Sequence, residues 1–248
     1  MRSGWRRLAL GFLLVLAAGA ARADAIVADL SSHLIAITTG FTGASVVLFG
    51  ATDGPGDDVI AVVRGPERDV TVWRKSKIVG VWANTESVTF ANVPSYYAVA
   101  STKPLDQLLS PATAALYRIG TDKIKFDAKS AAEPDRARLF ANAVIALRKR
   151  AGVFSPSHGK IAFLGDRLFR TTFVFPATIP TGSYLVEIFL VRNKDVVGGQ
   201  TTPLSVSKAG VDAAVFDFAR GNALAYGAIA VMMAVVAGWI ASLPFRHS

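Results

Sequence analysis

The chain has 248 residues, 52% of them hydrophobic, with 27 Lys and Arg against 18 Asp and Glu and zero cysteines. The absence of cysteine excludes disulfides, thiolate nucleophiles, iron–sulfur clusters and Cys-ligated zinc; the length allows one or two domains with a core of ordinary size. The formal charge of +9 is not a nucleic-acid signal, because part of it lies in a segment expected to be removed.

That segment is residues 1–23. Arg2, Arg6 and Arg7 form a cationic start, Leu8 to Leu16 an apolar run, and Ala21-Arg22-Ala23 places small residues at −3 and −1 of a signal-peptidase site. Cleavage after Ala23 is the expectation. Retention as an N-terminal anchor competes with it, but the apolar run is short of the ~20 residues that a spanning helix needs. Loss of Arg2, Arg6, Arg7 and Arg22 lowers the net charge to 9 − 4 = +5. Such a surface suits the neighbourhood of an anionic membrane.

From Asp24 to about Ala100 the chain reads as short strands. Leu34–Ile37, Ala44–Phe49, Val59–Val63, Val70–Trp73, Ile78–Trp82, Val88–Phe90 and Tyr96–Val99 are rich in Val, Ile and aromatics and separated by turn residues. A helical insertion follows at about 103–151. Pro104 opens one stretch through Leu116, broken at Pro111, and a second helix runs from Pro134 to Arg150 with Phe140, Val144 and Leu147 on one stripe. Arg148, Lys149 and Arg150 in its last turn complement the helix dipole, with contact to lipid or an acidic partner as the other reading. Strands return from Lys160 to Val206, with Leu168–Phe175 and Tyr184–Val191 as the longest and a turn at Asp195–Gly199. Thr181-Gly182-Ser183-Tyr184 resembles the corner before a late strand in immunoglobulin-like sandwiches. The predicted fold is mainly β: an immunoglobulin-like antiparallel β-sandwich over 24–219 with a helical insertion. Two β modules joined by the helices are the alternative.

Lys208 to Ala219 leads to the most apolar stretch. Between Arg220 and Arg246 no residue is charged, and those 25 positions at about 1.5 Å each cover ~37 Å, enough to cross a hydrocarbon core of ~30 Å. Tyr226 and Trp239 stand near its ends, where amphipathic rings favour headgroup depth. A transmembrane helix over 220–245 is therefore expected, with 246–248 as a cytoplasmic tail. Ala230, Ala234 and Gly238 form a small-residue row suited to helix packing.

Chemistry-bearing motifs are sparse. His33, His158 and His247 have no second ligand nearby in sequence. Asp53-Gly54-Pro55-Gly56-Asp57-Asp58 gathers three carboxylates, but lacks the alternating spacing of a calcium loop and reads as turn chemistry. No nucleophile elbow, phosphate loop or dinucleotide fingerprint occurs. The expectation is a non-enzyme with no catalytic residue, metal site or cofactor. Trp73, Trp82, Tyr96 and Tyr97, with Arg74, Lys75 and Lys77 among them, are either a recognition face or filling of a sandwich core. Alternation sets Val70, Val72 and Arg74 on one face and Thr71, Trp73 and Lys75 on the other.

Val72-Trp73-Arg74-Lys75, Val79-Gly80-Val81-Trp82-Ala83-Asn84, Val93-Pro94-Ser95-Tyr96-Tyr97-Ala98-Val99-Ala100-Ser101-Thr102, Pro180–Tyr184 and the Gly238-Trp239 to Phe245-Arg246 ending resemble the family of putative transmembrane proteins of alphaproteobacteria, over essentially the whole mature chain. The resemblance implies no established activity and no site residues. It implies, by association, an accessory role beside a sulfite-exporter-like permease. The functional expectation is a single-pass inner-membrane protein exposing a periplasmic sandwich, an accessory or interaction subunit whose partners are the lipid bilayer and a membrane protein, not nucleic acid. A periplasmic ligand- or metal-binding domain is the alternative. An exported hydrolase joining His33 or His158 to a Ser and a carboxylate is a remote third.

Overall fold

The computed structural model describes residues 26–129, 133–155, 159–209 and 218–242. The expected signal segment, His158, His247 and the 246–248 tail lie outside the described residues.

The chain is mainly β, and its strands form three sheets. The first orders β1 (Ile26–Leu30), β3 (Gly43–Thr52), β11 (Leu168–Pro176) and β10 (Ala162–Leu164), all antiparallel. The second orders β2 (Leu34–Ile37), β13 (Asp195–Lys208), β12 (Gly182–Arg192), β4 (Asp58–Arg64), β7 (Tyr97–Ser101) and β9 (Gly159–Lys160). It is antiparallel through the middle, with parallel pairs β2–β13 and β7–β9 at its edges. Strands from both sides of the helical segment thus share each of these two sheets, while the third orders β5 (Glu67–Ile78), β6 (Val81–Pro94) and β8 (Asp127–Ala128), described below.

The burial pattern follows from the sequence. β11 alternates, with Phe169, Thr171, Phe173 and Phe175 buried and their neighbours exposed, so the first sheet has one covered face. β4 differs, because Val59, Ile60, Ala61, Val62 and Val63 are all fully buried. A continuous apolar strand needs cover on both faces. One face packs against the first sheet in a shared cluster. The other lies under the helical segment, where the Tyr117 ring packs at a tilt against Phe189 of β12, with centroids 5.4 Å apart. That segment holds α1 (Leu105–Leu108), α2 (Pro111–Leu116), the two-residue β8 (Asp127–Ala128) and α3 (Pro134–Arg150). Ser110 caps α2 by accepting from the Thr113 amide. Gln200 of β13 ties the two sheets along one edge, accepting from the Ala28 amide and donating to its carbonyl at 2.8 Å each.

Three expectations need correction. Val70–Trp73, Ile78–Trp82 and Val88–Phe90 are not separate strands but one long hairpin, β5 (Glu67–Ile78) and β6 (Val81–Pro94), turning at Val79-Gly80. Both turn residues have positive φ, +48° and +86°, the handedness that matches strand twist in a two-residue turn. The turn placed at Asp195–Gly199 falls earlier, at Asn193 and Lys194, which also have positive φ, and β13 starts at Asp195. Leu147 does not complete the α3 stripe: Phe140 and Val144 are buried while Leu147 is exposed.

The hairpin grows directly from the second sheet. The β4–β7 ladder reaches Arg64 opposite Tyr97, continues through Gly65 N–H to the Tyr96 carbonyl (2.8 Å) and Ser95 N–H to the Pro66 carbonyl (3.0 Å), and enters β5–β6 at Glu67 opposite Pro94. Gly65 is required at this passage. A Cβ there would meet Ser95 Oγ at 2.7 Å and Tyr184 Cε1 at 2.8 Å. The arm has its own small core, in which Val72, Val88, Phe90 and Val93 pack against Phe140 and Val144 of α3.

Arm and chain exit lie at one end of the sheet. Arg64 pairs with Leu185 near the start of β12, and Gly182 pairs with Val206 near the end of β13. Strand β13 therefore finishes, at Lys208, where the ribbon leaves. Further on, α4 (Ala223–Ser242) contains no acidic or basic residue in either end turn, and its side chains, described to Trp239, are exposed. Among the described residues no helix is long and apolar enough to cross a membrane. The uncharged run 221–245 extends past the part of α4 whose side chains are described.

Candidate interaction surface

The hairpin splits the four aromatic candidates into two pairs. Paired residues of a hairpin share a face. Val70↔Phe90 and Val72↔Val88 lie on the face turned to α3, whereas Trp73↔Ser87, Lys75↔Asn84 and Lys77↔Trp82 lie on the opposite one. A register shift between Arg74 and Lys75 absorbs Thr85 as an extra residue, whose hydroxyl donates to the Arg74 carbonyl at 3.2 Å. Trp73 is 54% exposed and Trp82 68%. Two lysines stand between and beside them.

Tyr96 and Tyr97 are core residues and face opposite ways. Tyr96 stacks on Phe175 (5.0 Å between centroids) and donates to the Val174 carbonyl at 3.1 Å. Tyr97 packs on Phe154 under the helical cover; its hydroxyl donates to the Arg118 carbonyl at 3.1 Å and accepts from Gly120 N–H at 2.8 Å. Tyr184 donates to the Pro180 carbonyl at 2.6 Å, the back-bond expected from the Thr181–Tyr184 segment.

Burial raises the pKa of all three tyrosines: Tyr97 and Tyr184 to about 12, and Tyr96 in the same direction. The folded protein therefore keeps these phenols neutral where an unfolded chain ionises them, near pH ~10. Their contribution is fully present below about pH 10 and is lost as pH rises toward about 12, because the unfolded state sheds its protons first. Thermal melts should give a Tm insensitive to these groups below about pH 10 and falling steeply above it. A Tyr97→Phe, Tyr184→Phe variant with the same alkaline slope as the parent would sink this assignment.

Sequence reasoning missed the arm's tip. Ile78, Val79 and Val81 join Trp82 there, and Val79 is 98% exposed. The signal was the Val-Gly pair between apolar positions, masked because Val is not a turn residue. The distal arm carries Arg74, Lys75 and Lys77 against Glu86.

The remaining candidates are dispersed. His33 contacts Asp29 at 2.9 Å on the surface. In the acidic turn, Asp57 is buried and held by Arg192 Nη2 at 2.7 Å, while Asp58 accepts from Thr102 (2.8 Å) and pairs with Lys103 (2.9 Å). Grooves among the described residues include one of about 410 Å³ between Phe126 and α3 and one of about 350 Å³ beside the acidic turn. Ala230, Ala234 and Gly238 share a face of α4, and nothing lies within 4 Å of a Cβ built on Gly238.

These features give a β domain followed by a charge-free helix. A family model described as Putative transmembrane protein (Alph_Pro_TM) matches residues 25–247. The chain belongs to that family. The match covers the two sheets, the arm and α4, so all three are parts of one family unit and not an appended module. No curated protein matches the chain.

Proposed function

We propose that this member of the Alph_Pro_TM family is a single-pass inner-membrane protein that presents an immunoglobulin-like sandwich in the periplasm and serves as an accessory or interaction subunit for a membrane-protein partner. The immunoglobulin-like reading is supported by strand order, by the parallel β2–β13 edge and by the Tyr184 back-bond. The spanning reading is supported by α4, whose 20 residues make ~30 Å of helix, by the uncharged sequence on either side, and by the exposure of Leu224, Val231, Met232 and Val235.

The observation that carries the functional reading is the outer face of the arm, where Trp73 and Trp82 are held out of every core beside Lys75 and Lys77. Exposed tryptophans with cations are the composition of interface centres. A sulfite-exporter-like permease is the partner to test first.

Full-length protein purified from native membranes in mild detergent should retain a stoichiometric membrane protein. A Trp73→Ser, Trp82→Ser variant should lose most of it, since each central interface Trp is worth about 2 kcal/mol or more. A clean monomer in several detergents, or a partner retained equally by the variant, would count decisively against this reading.

A further inference from the structure

The tip of the arm has a property that the outer face does not explain. Ile78, Val79, Val81 and Trp82 form an apolar cap at its very end, and Val79 occupies a left-handed turn position with φ +48°. Turns with two positive φ values favour Asn, Asp and Gly, and a β-branched residue is a conformational outlier there. Folding gains nothing from this Val, whose side chain touches almost nothing. Just behind the cap stand Lys75 and Lys77, with Arg74 and a single carboxylate, Glu86. An apolar cap with a Trp and a cationic collar is complementary to an anionic lipid surface, where rings sit at headgroup depth and lysine stems lie along apolar surface.

Topology supplies the direction. The ribbon leaves the second sheet at the end where β13 releases the chain toward α4. Between Ala209 and Phe218 there are nine residue steps, at most about 30 Å of extended chain. The 12 residues of β5, at about 3.3 Å each, give the arm a reach of ~40 Å. The arm is long enough to touch the bilayer that holds the helix.

We infer that the tip Ile78–Trp82 inserts into the headgroup layer of that same bilayer, giving the domain a second membrane contact that fixes its orientation beside α4. The inference rests on the spanning reading of α4. The partner reading shares Trp82, Lys75 and Lys77 with the tip and differs from it in Trp73, which lies on the outer face behind the tip; quenching of the arm probe in vesicles free of other proteins tests the lipid contact alone.

The chain has no cysteine, so single-cysteine variants carrying an environment-sensitive fluorophore report one site each. The full-length protein would be reconstituted into vesicles of equal parts phosphatidylcholine and phosphatidylglycerol, with nitroxide lipids at headgroup or acyl depth. Probes would sit at Asn84→Cys on the arm, Asp166→Cys at the far end of the sandwich, and Ala234→Cys on α4. The arm probe should lose about half its emission to the headgroup nitroxide, as interfacial depth requires, while the Asp166 probe stays aqueous and the Ala234 probe is quenched at acyl depth. Val79→Asn with Val81→Asn should return the arm probe to water without unfolding, because Asn suits the left-handed turn position at 79 and Val81 is exposed at the start of β6.

A quenched helix probe beside an aqueous arm probe overturns the inference and leaves anchoring intact. An unquenched helix probe overturns both. An arm probe that is aqueous in vesicles but shielded in native membranes assigns the tip to a protein and overturns the lipid assignment.

Discussion

Replacing Arg64 by Met should lower the unfolding free energy by about 2–4 kcal/mol, the range for removing one partner of a largely buried ion pair that is still partly solvated. Arg64 ends β4 where the arm begins. Its guanidinium pairs with Glu187, two residues beyond its cross-strand neighbour Leu185, with side chains 20% and 22% exposed. It also donates to the carbonyls of Tyr117 (2.8 Å) and Arg118 (3.2 Å) and lies 5.9 Å from the centre of the Tyr97 ring. One side chain thus joins the sheet, the base of the arm and the end of α2. Removal leaves the Glu187 carboxylate and the Tyr117 carbonyl without the guanidinium, while the Arg118 carbonyl keeps the Tyr97 hydroxyl. The check is urea unfolding of the full chain in detergent, where the midpoint should fall with the m-value unchanged. Arg64→Met combined with Glu187→Leu should recover much of the loss, because the pair is then absent from both sides. Strictly additive losses in that cycle would mean that the two side chains do not couple.

The sequence made those residues hard to find, and the reason is physical. A strand that alternates advertises one covered face, which is why β11 was readable at Leu168–Phe175. A strand covered on both faces looks only like an apolar run, and β4 gave no hint of which neighbour covered which face. The same ambiguity hid the tyrosines: Tyr96 and Tyr97 are adjacent and point to opposite sides, yet both are buried, because the first sheet takes one and the helical cover takes the other. The two tryptophans carry similar local sequence but stand on a ribbon that has left the sandwich. Arg74-Lys75-Ser76-Lys77 read as a break between strands because a strand inside a core does not tolerate such a run. A projecting hairpin does, since its outer face and its tip meet solvent. The helices were more legible, with Pro134 and Arg150 bounding α3 as expected, because caps and charges act locally. Which face of α3 would find a partner depended on the arm, and the arm was not visible.

Phe140→Ala tests whether that arm is a separate structural unit, and its cost should be about 3–5 kcal/mol, that of truncating a buried Phe. Phe140 and Val144 lie one turn apart on α3 and fill the space against Val72, Val88, Phe90 and Val93, with Phe126 at 5.8 Å from Phe90 extending the cluster. These six buried residues form a cluster distinct from the one between the two sheets. The loss should therefore fall on α3, β5 and β6, which open as a local unit while the sandwich stays closed. Amide exchange of the full-length protein resolves the two. Protection should drop in 134–150 and 67–94 and persist in β4, β12 and β13. A uniform drop through β4 and β12 would show that arm and sandwich unfold as one. The distinction bears on function, because the tip acts at the end of a lever. With α3 detached, β5–β6 keeps only the two-residue β8 beside Phe90 and Ala91, its distal part is a two-stranded hairpin without a hydrophobic backing, and such hairpins are marginal in water. The arm probe at Asn84→Cys should then lose its fixed depth even though Ile78, Val79, Val81 and Trp82 are all still present. Apolar residues at the tip suffice for affinity, whereas a defined orientation of the sandwich over the bilayer requires the small core at the arm's base.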